Sequence, residues 1–248
     1  MISIDAVAQR GSERYGDHFQ ILKAMAGLAR QGQPTLMTSP EAQFLVKNEA
    51  FVRQESGYAT STAQDLTSEA SLAVSRFFRS TPVAPPYSDD GSCGQLVAAL
   101  SAQATVDAAA AVASVQKLNF GALNLSRSKG ISLAAALREM QQNEEAELES
   151  LYVDRRKKVW KGEVYVRSLW RQTSVLIRAQ ATIAALSAHC QSRAIILHPE
   201  PDHASNGLII SLDGSGGYPG WVDVRGRHFH PNSRAIVAPY GGEDGFSL

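Results

Sequence analysis

Charge of either sign in excess is missing from this chain: 24 basic residues balance 24 acidic ones over 248 positions. A general nucleic-acid binder needs a basic surplus to neutralise phosphates, so that class is disfavoured. No apolar run approaches the roughly 20 residues that a bilayer crossing demands, and no membrane span is expected. The opening residues, Met1-Ile2-Ser3-Ile4-Asp5, show neither a basic stretch nor an apolar one, so no cleavable signal peptide is expected. Cysteine is scarce. With only Cys93 and Cys190, and no export signal, two free thiols are expected rather than a disulfide. A Walker-type glycine-rich phosphate loop is absent as well.

What the chain does have is alanine, and with it helix propensity. Residues 1–18 are polar and mixed and read as a flexible N-terminal segment. A single domain is expected over 19–248, helical to about residue 190 and β-rich after it. Phe19, Ile21, Leu22, Met25 and Leu28 share one helical face. Ser39-Pro40 starts a second pattern, with serine as N-cap and proline in the first turn; it is expected to end at Gly57. A Ser/Thr-rich stretch leads into a short helix around Phe77. Prolines at 82, 85 and 86 break the chain. Leu96 to Leu118 is a long Ala-rich helix, Gly121 to Gly130 a loop. Ser132 caps a charged helix expected to reach Val159, with Glu144, Glu145, Glu147 and Glu149 ahead of the basic run 155–158, the order that suits the helix dipole. Another helix covers Tyr165 to Cys190. Strands are expected at Arg193–Leu197, Leu208–Leu212, Trp221–Val224 and Arg234–Ala238, joined by glycine-rich turns as an antiparallel sheet. Helices first and strands last define an α+β fold.

Two short motifs carry the chemistry. Asp90-Gly91-Ser92-Cys93-Gly94 places a thiol at the mouth of the Ala-rich helix, where unpaired N–H groups favour a thiolate. Asp202-His203-Ala204 places an imidazole at the start of a strand, where it can act as base to that thiol. The orienting carboxylate is expected to be Asp223, inside an apolar stretch, with Asp213 in its glycine-rich turn as the alternative.

Cysteine at a helix start, histidine at a strand start and aspartate after a hairpin follow the order of the papain-like cysteine proteases. The chain most resembles the YopT/AvrPphB type of bacterial type III effector proteases. The resemblance implies a papain-like fold with Cys93 as nucleophile, His203 as general base and Asp223 as orienting group, and it needs no cofactor and no metal. It also implies a protein substrate in a host cell, reached by secretion without a cleaved signal, with a cytoplasmic location as the other option. Papain-type enzymes carry a glutamine six residues before the cysteine; Tyr87 stands there in this chain. A deamidase or acyltransferase could run on the same three residues.

Cys190, His198, His203, His228 and His230 crowd the last quarter but lack the tight pairs of a zinc site. Glu55-Ser56-Gly57-Tyr58 is similar to a lytic transglycosylase stretch but lacks the downstream Gly-Leu-Met-Gln run, and Glu145-Ala146-Glu147, with Ser61, is similar to an ADP-ribosyltransferase pair but lies in a charged helix, where paired glutamates are usually a solvated face. The non-enzymatic alternative is a helical interaction protein, such as an adaptor or a phage or plasmid structural component, supported by the long Ala-rich and charged helices.

Overall fold

The computed structural model describes residues 2–30, 40–82, 91–143, 148–230 and 232–241. The expectations resting on Ser39, Tyr87, Asp90, Glu144, Glu145 and Glu147 lie outside the described residues. The fold is α+β, with six helices and two small antiparallel sheets among the described residues. Its contacts divide it into two compact units. One comprises Met1–Gln9, Gly57–Leu96 and Arg167–Leu248, the other Arg10–Ser56 and Val97–Val166. The boundaries fall within long helices, where no linker composition marks them.

Helix α1 spans Ile4–Arg30. The expectation of a loose segment over 1–18 is therefore corrected. Val7, Tyr15 and His18 are buried, so this polar-looking stretch anchors through a few large side chains. Helix α2 runs from Pro40 to Phe77 without stopping at Gly57. Ala59, Ala63, Leu66, Ala70 and Val74 form its buried stripe, at helical spacing through the Ser/Thr-rich stretch. The hydroxyls there do not compete with the helix. Thr67 Oγ1 donates to the Ala63 carbonyl and Ser68 Oγ to that of Gln64, each one turn back.

Helix α3, Ser92–Lys129, passes straight through the expected loop at Gly121. A Cβ at Gly121 would meet the end of the Met140 side chain, a flexible group that can move aside. Ser132 caps α4, Leu133–Asn143, by accepting the Ala135 N–H. The charged run does not continue as helix. Strands β1 (Leu151–Val153) and β2 (Val159–Lys161) pair as an antiparallel hairpin. Asp154 decides this: its Oδ1 accepts the N–H groups of Arg156 and Lys158, and its Oδ2 accepts the Trp160 indole N–H. A side chain that satisfies a turn offers the backbone an alternative to helix.

Helix α5, Gly162–Ala188, is followed by β3 (Arg193–Leu197) and β4 (Leu208–Ser211). Helix α6 (Trp221–His228) and β5 (Ile236–Pro239) follow. The sheet order is β4-β3-β5, both pairings antiparallel, with Ile195 opposite Ile209 and Ala238. The antiparallel sheet after residue 190 thus forms as expected, but with three strands. Trp221–Val224 is helical instead of extended.

The first unit has its core where Val175, Ala179 and Leu186 of α5 meet Ala194, Ile196, Ile210 and Val237 of the sheet. In the second unit Phe19 and Leu22 of α1 and Phe44 of α2 pack with Ala108, Ala111 and Val115 of α3. Among the described residues α3 alone combines the length and apolarity of a membrane-crossing helix. Its best 18-residue window has mean hydropathy 1.6, and 39% of that window is buried within the protein.

Candidate functional sites

The cysteine stands where the sequence puts it, in the first turn of α3. Its surroundings are not those of an exposed nucleophile. Cys93 is 8% exposed, and its thiol donates to the Ala59 carbonyl of α2 at 3.7 Å. A small cleft of about 100 Å³ opens next to it between α3 and α5, lined by Ser92, Gln95, Gln172 and Thr173 among others. Cys93 is not in its wall. Cys190, by contrast, is exposed.

His203 lies in the β3–β4 connection. Its Nδ1 accepts the Ser205 N–H at 3.2 Å, and its ring stacks on His198 with centroids 3.8 Å apart. Its backbone N–H donates to the Glu200 carbonyl, and its own carbonyl accepts the Asn206 N–H. None of these partners is Cys93 or Asp223. Asp223 belongs to the first turn of α6, where its Oδ2 accepts the Gly220 N–H at 2.9 Å, the half of a capping box that a glycine N-cap leaves possible. The expectation of Asp223 on a strand beside His203 therefore fails on secondary structure. The peptide N–H groups at the start of a helix attract a carboxylate, and Asp223 serves them. Asp213 accepts from Ser215 N–H and from Ser211 Oγ in an exposed turn, and hydrogen bonding from the Ser215 hydroxyl first, then its N–H and Ser211, holds the carboxyl below the usual range.

Among the described residues no group of three His, Cys, Asp or Glu side chains is placed to hold a metal ion. The histidines of the last quarter instead form a local cluster around Ser205, whose Oγ lies 2.7 Å from His228 Nδ1. That pair has the look of a nucleophile and its base, but Ser205 is fully buried.

Two features escaped the sequence reading. The first is a buried polar network in the second unit. Asp107, 2% exposed, accepts from Tyr15 Oη, from Ser150 Oγ at 2.8 Å and from Gln103 Nε2 at 3.1 Å. Burial raises the Asp107 carboxyl above its ordinary value, against the pull of these three donors. Burial, then the charge of Asp107, also pushes the Tyr15 phenol up. Gly162 leaves the room that Ser150 occupies beside Tyr15. Nearby in the chain, Arg14 forks onto Glu55, and His18 shares a hydrogen bond with Asn48. The signal was present: Asp107 is the one acidic residue in the whole of α3.

The second feature is an apolar cavity of about 290 Å³ in the first unit, walled by Ala70, Val74, Val175, Ala179 and the residues of β5. The polar side chains on its wall are engaged. Glu69 accepts the Ile2 N–H, and Arg178 donates to the Ile2 carbonyl and to Glu69.

Comparison of the chain with protein-family profiles, with characterised proteins and with solved structures finds no match. What stands is a class: a mainly helical α+β protein with two small antiparallel sheets among the described residues.

Proposed function

We propose that this chain is a non-enzymatic structural or adaptor protein that packs the outer face of α3 against a helix of a protein partner. One observation carries this reading. Between Gly94 and Gln116 the only charged residue of α3 is Asp107, and it points inward. The outward positions are Ala98, Ala102, Val106, Ala109, Ala110 and Ala113, with Thr105. Val106 is 56% exposed, and Phe120, further along the helix, is 67% exposed. Helices facing water ordinarily carry charge on that side, and contiguous apolar surface marks an interaction site. Alanine at the contact allows a second helix to approach closely, within the usual interaxial range of about 8–10 Å. The test is a photo-crosslinking residue at position 109 or 113, with position 53 as control, in cells that make the protein. A discrete adduct from the α3 positions alone supports the reading; equal labelling from all three contradicts it.

The papain-like thiol hydrolase is the second reading. It is favoured by the place of Cys93 at the N-terminus of α3, where backbone N–H groups stabilise an anion. It requires α2 to release the thiol and His203 to reach it.

A further inference from the structure

Residues 198–207 connect β3 to β4, and they are tied together and to the last turn of α6 by imidazole nitrogens. The Glu200 N–H donates to His198 Nδ1, and the Ser205 N–H to His203 Nδ1, both at 3.2 Å. A backbone N–H can only donate. Each ring therefore accepts at Nδ1 and is neutral, with its proton on Nε2. The two rings lie face to face, 3.8 Å apart and within 16° of parallel. Ser205 then carries the connection to α6 through its 2.7 Å contact with His228 Nδ1. Asn206 closes the loop, accepting the His198 N–H and donating to the Pro201 carbonyl. The charged and titratable groups acting on His228 are Arg227 on its own helix, His203 from the loop and His230 beyond the helix. The loop's own acids, Glu200 and Asp202, are exposed.

We propose that His198 and His203 form an acid-released clasp that folds the 198–207 connection, while Ser205 seats it on α6 through a contact that protonation of His228 reverses in direction but keeps. Protonation adds a hydrogen at Nδ1. The acceptor of each backbone N–H becomes a second donor, and two cations face each other across the stack. Release opens the loop and leaves the β3–β4 ladder intact, because that ladder is paired through backbone groups alone.

The experiment is amide exchange by NMR on the full chain at ~pH 7.5 and ~pH 5, corrected for intrinsic rates. Protection at the Glu200 and Ser205 amides should fall by about tenfold or more at the lower pH, while Ile210 and Ile195 keep theirs. In the double variant His198→Asn/His203→Asn, Oδ1 can accept the same N–H groups but does not titrate, so the response should vanish. Unchanged loop protection, loss spread equally over the strands, or a response surviving in the double variant overturns the clasp. Should that variant fail to fold, the imidazole titration of the native chain decides. Loop release must follow the histidine midpoints, and release at any other pH overturns the proposal.

Discussion

Asp107 sets the terms at the scale of the residue. A carboxyl buried in a helical core is costly unless its oxygens are met, and here three donors meet them. Tyr15→Phe removes one and leaves the others in place. It should lower stability by about 1–3 kcal/mol in urea unfolding, the cost of leaving a buried polar group short of a partner. A variant as stable as the native chain would show that the network is not a stabilising element. The thiols give a second test. The buried, hydrogen-bonded Cys93 should react with iodoacetamide more slowly than the exposed Cys190 in the folded protein. Faster labelling of Cys93 would revive the thiol hydrolase.

At the scale of the element, legibility depended on what each stretch had to satisfy. Strands β3 and β4 were readable because β-branched and apolar residues there are bounded by glycine and polar turns. The continuation of α2 and α3 was not, because Gly57 and Gly121 look like breakers while buried residues on both sides of each, Glu55 and Ala59, Leu118 and Ala122, carry the helix through. The hairpin at 151–161 was missed for the opposite reason. Its charges suit a helix, but Asp154 takes three N–H groups into a turn. Those bonds also hold its carboxyl below the usual range, the Lys158 N–H contributing most. A depressed carboxyl contributes stability above its unfolded value, about 3.9, and loses it as pH falls through the folded one. Asp154→Ala should therefore strip exchange protection from the Lys158 amide at neutral pH and shift Trp160 fluorescence. Retained protection would mean that the strand pairing alone holds the turn. Of the candidate site, only the position of Cys93 at a helix start was legible. Whether a histidine and an aspartate meet it depends on packing between distant segments, which spacing along the chain does not encode.

Across the whole molecule, the helical propensity and the three-stranded end agree with an α+β reading made from pattern alone. The division into two compact units leaves no mark on that pattern, because its boundaries run through helices instead of linkers. The outstanding property at this scale is an unequal surface: charge is spread over the chain, yet the outer face of α3 has none from Gly94 to Gln116, and only Lys117 separates it from the exposed Phe120. The central claim is that another protein covers that face. Hydroxyl-radical footprinting of Val106 and Phe120, comparing the purified chain with the same chain in native extract, tests it most directly. The account predicts slower oxidation at both positions in the extract, with exposed Leu45 on α2 oxidised equally in the two samples. Equal rates at Val106 and Phe120 in both samples would contradict it.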